Sequence, residues 1–163
     1  MRWRPMRASD LAMVEAIAEA LHPDHPERPE VFAERLALAP GGCRVLADEV
    51  GALHGYAVTH PWGTESPPAL DVLLGRLPPR AAAWHIHDIA VLPAARGLGH
   101  AARLLHEFCT GAAARGYALA TLVAIAGKGG YWERHGFRPI APRDPAALDS
   151  YGAGALFMVR SLA

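Results

Sequence analysis

The chain has few cysteines, no excess of charge and no long apolar run, and each absence excludes a class of protein. Its 163 residues include two cysteines without Cys-x-x-Cys spacing, so no disulfide framework is expected. Equal numbers of basic and acidic residues, 16 of each, offer no electrostatic attraction to nucleic acid or an anionic membrane. No run approaches a signal peptide or the roughly 18 apolar residues of a spanning helix. We therefore expect a cytoplasmic protein without nucleic-acid or membrane partners.

The composition that is present suits one globular domain. Hydrophobic residues make up 52% of the chain and charged residues 20%, which is enough for a single core at this length. Hydrophobic periodicity predicts a strand, two helices, a hairpin, a strand, a helix, a strand, a short helix and two closing strands. The hairpin joins residues 43–47 to residues 53–58 as antiparallel strands. We expect one α/β domain over residues 1–163, without internal repeats.

Residues 85–105, HIHDIAVLPAARGLGHAARLL, organise this domain because they predict a strand, a glycine-rich turn and a helix in succession. Pro93 ends the strand since it has no N–H to donate, and Gly97 and Gly99 allow the main chain to approach a ligand. A helix start preceded by Arg96 combines free N–H groups, a positive dipole end and a fixed cation. This turn predicts a phosphate site.

Two common phosphate motifs fit the chain poorly. Residues 97–102 satisfy the G-x-G-x-x-A form of the dinucleotide fingerprint. The carboxylate that should follow roughly 20 positions later to hold a ribose is missing in and just after residues 119–124. Gly127-Lys128-Gly129 lacks the spacing and the following Ser or Thr of a P-loop. Another phosphate ligand is therefore expected.

Residues 96–101 have the form R-x-x-G-x-G/A, directly after a strand that ends in IAVLP. This pattern resembles the acetyl-CoA motif of the GNAT superfamily of N-acetyltransferases. Residues 131–137 match a second family signature, aromatic-aromatic-x-x-x-Gly-Phe. The resemblance is close between these motifs and elsewhere covers only the order of elements. It implies the GNAT fold, a mixed and mostly antiparallel sheet of about six to seven strands with a splayed central pair and about four flanking helices.

The resemblance also implies acetyl-CoA as cosubstrate. The turn would hold the pyrophosphate on its N–H groups, with Arg96 neutralising it. The preceding strand would pair its main chain with the pantetheine amides as a pseudo-strand. The residues assigned to acetyl-CoA are Ile89, Ala90, Val91, Arg96, Gly97, Leu98, Gly99, His100 and Ala101.

Two histidines lie on the strand before the turn. Alternation predicts that His85 and His87 share one face with Ile89 and Val91, while Asp88 points to the other and cannot simply orient them. An amine must lose a proton before it attacks a thioester, and imidazole has a suitable pKa for that task. Arylalkylamine N-acetyltransferases carry a His-x-His pair at this place, so the resemblance implies a proton-transfer role for His85 or His87.

Other interpretations of these histidines stay open. Either can be a hydrogen-bonded packing residue. Spaced i, i+2 on a strand, they also suit a zinc site with a third ligand from His54, His60 or a carboxylate. In that case the phosphate turn would have no purpose, so we expect no metal.

Departures from the family pattern keep a different class open, a catalytically silent acyl-CoA-binding module. The tyrosine that usually protonates the leaving thiolate is replaced by Trp132, and the asparagine often found seven residues earlier is Ile125. An indole N–H cannot give up its proton at neutral pH. Tyr151 is favoured over Tyr131 as the substitute donor, and the open alternative is that the thiolate leaves unprotonated or takes its proton from water.

We predict an N-acetyltransferase that transfers the acetyl group directly to a primary amine of a small molecule or a peptide N-terminus. The tetrahedral intermediate would place its oxyanion on a strand N–H. A homodimer is compatible with the sequence, which leaves the oligomeric state open. The proline-rich connection over residues 61–80 is either a binding loop or a surface excursion, with one or two helical turns at residues 70–74.

Overall fold

The computed structural model describes residues 1–163 and contains seven strands and five α-helices. The strands are β1 (Arg2–Pro5), β2 (Cys43–Ala47), β3 (Leu53–Trp62), β4 (Ala83–Val91), β5 (Leu119–Ala124), β6 (Arg138–Pro139) and β7 (Leu156–Ser161). The helices are α1 (Leu11–Leu21), α2 (Pro29–Leu38), α3 (His100–Ala114), α4 (Gly129–Glu133) and α5 (Pro145–Asp149). None of the helices is long and apolar enough to cross a membrane.

All seven strands form one sheet in the order β1-β2-β3-β4-β5-β7-β6. Every neighbouring pair is antiparallel except β4 and β5, which run parallel because α3 connects them. The predicted hairpin is confirmed as β2 and β3, although β3 continues to Trp62. The predicted mixed and mostly antiparallel sheet is therefore confirmed.

The parallel pair separates halfway along its length. Residues Ala83–Ile86 of β4 pair with Leu119–Leu122 of β5, and beyond Ile86 strand β4 keeps only β3 as its neighbour. The strand edge that faces β5 is left without a partner over residues 87–91. This opening confirms the predicted splayed central pair.

A β-bulge at His87 changes which side chains share a face. In the β3–β4 ladder, Val58 lies opposite Asp88 and Thr59 opposite Ile86, so His87 is an extra residue with no partner. A bulge inverts the alternation after it. The prediction that Asp88 points away from His87 was wrong, because both side chains now reach groups on the α1 and α2 side of the sheet.

The same bulge corrects the prediction that Ile89 and Val91 share the histidine face. Ile89 packs in the apolar clusters of α3, which include Leu104 and Leu105, and Val91 packs against Ala95 before that helix. Ala90 instead joins the cluster on the other face. The strand thus presents polar groups to one layer and aliphatic groups to the other.

The sheet has a helical layer on each face. Helix α3 buries the predicted apolar stripe, which includes Leu104, Leu105 and Phe108, against strands β4 and β5. Val14 and Ile17 of α1 pack with Phe32 of α2 against the opposite face. These two layers hold the separated strands from both sides.

The connection between β3 and β4 contains no helix at residues 70–74, contrary to one prediction. Asp71 adopts a left-handed conformation with φ 56°, which no helical turn allows. The side chains of Glu27, before α2, and of Glu34, within it, accept main-chain N–H groups of this stretch and hold the turn. The sequence analysis also missed α5, which lies within the loop between the two closing strands.

Candidate active site

A cleft of about 1300 Å³ opens where β4 and β5 separate. Both strands line it beyond their paired part, together with α1, the connection from α1 to α2, the turn before α3, and α4. One end holds the glycine-rich turn and the other holds the histidine face of β4. The two ends are built differently and are described in turn.

The glycine-rich turn leaves a row of main-chain N–H groups free. Gly97 and Gly99 have φ of 78° and 76°, and Gly99 caps α3 in the left-handed conformation. The first amide to bond is that of Arg103, which donates to the Gly99 carbonyl at 3.0 Å, and no N–H from Gly97 to Ala102 donates to a main-chain carbonyl. Such a row binds anions.

Cations surround this end of the cleft. Arg96 donates from Nε to the Val91 carbonyl at 2.9 Å, which fixes its guanidinium beside the turn. Lys128 and Arg134 line the cleft nearby from the α4 side. The predicted turn residues that line the cleft include His100 and Ala101, whereas Leu98 is exposed. The turn and its cations fit a pyrophosphate.

The open edge of β4 supplies further hydrogen-bonding groups. The Leu92 N–H donates to the His54 carbonyl at 2.8 Å, and this bond determines which alternate residues of β4 bond to β3. By alternation, Ala90 bonds to β3, while Ile89 and Val91 turn their N–H and C=O groups toward the gap. This edge fits an amide-bearing chain lying between the separated strands.

At the other end, His87 forms a pair with a carboxylate from a distant segment. His87 Nε2 lies 2.7 Å from Glu27 Oε1, and the two side chains are 2% and 8% exposed. The other oxygen of Glu27 accepts the N–H of Asp71 at 3.0 Å. His87 Nδ1 is buried and has no partner. With its proton on Nε2, the ring presents an unpaired lone pair at Nδ1.

His85 is placed differently from His87. It is 1% exposed, does not line the cleft, and has Nδ1 3.0 Å from Thr121 Oγ1. Burial lowers its pKa well below the ordinary value, and burial lowers the pKa of the neighbouring His60 to about 3. Both rings are therefore neutral at pH 7 and form a buried layer beneath His87.

His60, one of the third ligands considered for a zinc site, lies beside the other two histidines. The ring centroids of His60 and His85 are 5.4 Å apart, and those of His60 and His87 are 6.4 Å apart. The structure contains no group of three His, Cys, Asp or Glu side chains placed to hold a metal ion.

A second histidine–carboxylate pair lies beside the first. Asp88 accepts a hydrogen bond from the Tyr56 hydroxyl, and its Oδ2 lies 3.1 Å from His22 Nε2. The adjacent Asp88 carboxylate raises the pKa of His22. Burial would raise the pKa of Asp88, but His22, Tyr56 and His87 together outweigh it and the net shift is downward. At neutral pH this pair places a carboxylate in the cleft.

Both predicted tyrosines line the cleft. Tyr151 is buried and its hydroxyl donates to the Pro68 carbonyl at 2.9 Å, and burial raises its pKa. Tyr131 lies on α4 and is 37% exposed, with its ring centroid 5.1 Å from that of Trp132. Both phenols therefore keep their protons at neutral pH.

Sequence reasoning missed Glu27, His22 and Tyr56. Glu27 and His22 fall within the proline-rich stretch between the first two helices. No spacing links Glu27 to His87, 60 residues away. The proline on each side of the Glu27–Arg28 pair was the one available sign of a fixed conformation.

The splayed sheet, the free N–H row and the open strand edge define an α/β protein that can hold a ligand with phosphate and amide groups. The acetyltransferase (GNAT) family model matches residues 10–137. The chain belongs to this family of acyltransferases. A comparison with curated proteins gives no match.

Solved structures of the same fold include a GphF GNAT-like decarboxylase in complex with isobutyryl-CoA. Its TM-score is 0.79 at 21% identity, over 100% of both chains. N-acetylglutamate synthase from Neisseria gonorrhoeae, complexed with coenzyme A and N-acetyl-glutamate, has a TM-score of 0.73 at 19% identity, over 99% of this chain and 35% of that one. Chaetomium thermophilum Naa20 with a bisubstrate analogue has the same two values, over 99% and 86%. These likenesses establish the fold.

Proposed function

We propose that the protein transfers the acetyl group of acetyl-CoA directly to a primary amine, with His87 as the proton acceptor. The observation that carries the proposal is the buried His87–Glu27 pair, 2.7 Å apart, in a cleft whose opposite end has a free N–H row. Acyltransferase chemistry follows from the family. The acetyl group, the amine and the direct transfer are our proposal.

The cofactor end suits acetyl-CoA in charge and in hydrogen bonding. Solved relatives hold coenzyme A or isobutyryl-CoA, which supports a CoA-type cosubstrate here. The pyrophosphate would receive N–H groups of the turn, and Arg96 would balance its charge. Ile89 and the N–H of Val91 would offer main-chain groups to the pantetheine amides, since the Val91 carbonyl accepts Arg96 Nε.

The acceptor end suits an amine because its charged lining is acidic. The carboxylates that line the cleft are Glu15 and Glu19 on α1, Glu27 on the connection from α1 to α2, and Asp88 next to His87 on β4. They would attract an ammonium ion, and the unpaired Nδ1 of His87 would take the proton that the amine must lose, which requires the buried ring to turn toward the cleft. Glu27 then stabilises the imidazolium that results. His85 does not line the cleft, so we propose proton transfer for His87 alone.

In the reaction, the amine nitrogen forms a bond to the thioester carbonyl carbon and a tetrahedral intermediate results. A main-chain N–H on the open edge of β4 would stabilise its oxyanion. The C–S bond then breaks and coenzyme A leaves as the thiolate. Tyr151 is our proposed donor of a proton to the sulfur, which requires its hydroxyl to leave the Pro68 carbonyl.

The test is release of free coenzyme A from acetyl-CoA with a panel of arylalkylamines, polyamines, aminoglycosides and peptides. We expect at least one amine to be acetylated, with the product identified by mass spectrometry. Reactions without amine and reactions of the His87→Gln variant are the controls. Tight acetyl-CoA binding without turnover on any amine would favour the silent module. Consumption of acetyl-CoA that does not depend on amine would contradict the proposed transfer.

A further inference from the structure

Residues 70–75 of the connection from β3 to β4, which we name the clasp segment, are hydrogen-bonded to the two residues before α2 and to the second half of that helix. We propose that the clasp segment positions Glu27, and through it His87, so that Asp71 and Arg28 are positioning residues of the acceptor site. This inference rests on the proposed role of His87. It assigns the long connection a task in catalysis without giving it contact with the substrate.

Glu27 and Arg28 exchange hydrogen bonds with Asp71. The Asp71 N–H donates to Glu27 Oε2 at 3.0 Å, and the Arg28 N–H donates to Asp71 Oδ1 at 2.7 Å. The Arg28 guanidinium adds contacts to the Asp71 carboxylate at 3.1 Å and to its carbonyl at 2.9 Å. Each of the two segments, which are more than 40 positions apart, thus donates a main-chain N–H to a carboxylate of the other.

The remainder of the clasp segment is bound from α2. Glu34 accepts the N–H groups of Leu74 and Gly75 at 2.7 and 2.9 Å, and Arg35 donates to the Val72 carbonyl at 2.9 Å. The Arg35 side chain is fully buried. An arginine is rarely buried so completely unless its partners hold it. The segment is therefore a fixed part of the fold, not a surface excursion.

The backbone of Asp71 supports the same conclusion. Its φ of 56° is the only positive value at a residue other than glycine. Such a conformation persists where the surrounding contacts over-determine it. Here the contacts of Arg28 with Asp71 hold this conformation, and in it the Asp71 N–H donates to Glu27.

The consequence concerns the freedom of the Glu27 carboxylate. One oxygen contacts His87 and the other accepts the Asp71 N–H, so both oxygens have partners and the side chain has one orientation. Without the Asp71 N–H, the carboxylate can rotate away from the imidazole. Catalytic geometry depends steeply on such placement, where an error of about 1 Å costs on the order of a hundredfold in rate.

Asp71→Asn is the informative variant because asparagine accepts the left-handed conformation but loses the charge that holds Arg28. We expect kcat to fall about tenfold while the Kd for acetyl-CoA stays within about twofold. In the free protein, the downfield NMR signal of the His87 Nε2–H should broaden or disappear. Its assignment comes from the spectrum of His87→Gln.

Glu65→Gln is the matched control, since it breaks an exposed ion pair with Arg143, 2.7 Å long, at the other end of the same connection. It should leave both kcat and the imidazole signal unchanged. If Asp71→Asn does not fold, Arg28→Gln takes its place, with the same expected results.

An unchanged signal and unchanged kcat in Asp71→Asn would overturn the inference, as would an equal loss in Glu65→Gln. The NMR signal is measured without substrate, so it tests whether the clasp segment positions Glu27 and His87 even if no amine is acetylated. Absence of turnover in the wild type with the expected loss of signal would contradict the proposed function and leave the positioning role intact.

Discussion

The two ends of the cleft are built from different parts of the polypeptide. The cofactor end consists mainly of main-chain groups, the free N–H row of the turn and the open edge of β4, with cationic side chains around them. The acceptor end consists of side chains, two histidine–carboxylate pairs above a layer of neutral imidazoles. A site made of main chain tolerates many side chains, whereas a site made of side chains depends on each of them.

The ends also differ in charge. The lysines and arginines in the cleft lining are Arg96, beside the turn, and Lys128 and Arg134, at the two ends of α4. The lining carboxylates lie on α1, on the connection from α1 to α2 and on β4. Such a division draws a polyanion to one end and an ammonium ion to the other. The account predicts that the two ends can be damaged separately.

The largest effect is expected for the acceptor pair. His87→Gln removes the proton acceptor, and we expect kcat to fall by about a hundredfold or more, in the range that general base catalysis contributes. The Kd for acetyl-CoA should not change. Steady-state kinetics and calorimetry measure the two quantities, with His106→Gln on the exposed face of α3 as control. Equal activity of the two variants would remove His87 from the reaction.

The next prediction concerns how the stability of the fold depends on pH, through the buried histidines beneath the acceptor end. His60 and His85 are neutral in the folded protein, but in the unfolded chain they take up protons below pH 6.5. The unfolded state then binds more protons, so stability falls as the pH drops below 6.5, by about 1.4 kcal/mol per pH unit for each group. For His60 the loss continues to its folded pKa of about 3.

His22 has the opposite sign. Because its folded pKa is raised, His22 adds stability that is complete below 6.5 and is lost as the pH rises through that raised value. It does not add to the acid slope. Urea unfolding of the wild type and His60→Gln between pH 5 and 7 should give a shallower slope for the variant, by about one proton. Parallel slopes would show that His60 is not buried as a neutral ring.

At the cofactor end, Arg96→Gln should weaken acetyl-CoA binding by about tenfold to thirtyfold, since it removes one charge-assisted contact and leaves the N–H row in place. The value of kcat at saturating acetyl-CoA should change little. Arg138→Gln, on the exposed strand β6, controls for loss of a surface charge. An unchanged Kd in Arg96→Gln would contradict the assignment of the guanidinium to the pyrophosphate.

The smallest effect is expected for the leaving group. Tyr151→Phe removes the hydroxyl and keeps the ring, and a tenfold fall in kcat, about 1.4 kcal/mol of barrier, supports the proposed donor. Tyr131→Phe is the comparison. If only the second variant loses activity, the donor lies on α4. If neither does, the thiolate departs unprotonated or takes its proton from water.

The difference between the ends also explains what the sequence could predict. The turn at Gly97 and Gly99 is a contiguous motif, so its conformation and its anion-binding N–H groups follow from local rules. The pair of Glu27 and His87 joins segments 60 residues apart, and no local rule connects them. The bulge at His87 inverted the face of Asp88 because a ladder register depends on both strands.

The most direct measurement of this account is calorimetric titration of acetyl-CoA into the wild-type protein and into His87→Gln. A cofactor end built from main chain and independent of the acceptor side chains predicts saturable binding with the same Kd in both proteins, and no comparable binding of NADH. No binding to the wild type, equal binding of NADH, or a Kd that rises with loss of His87 would contradict it.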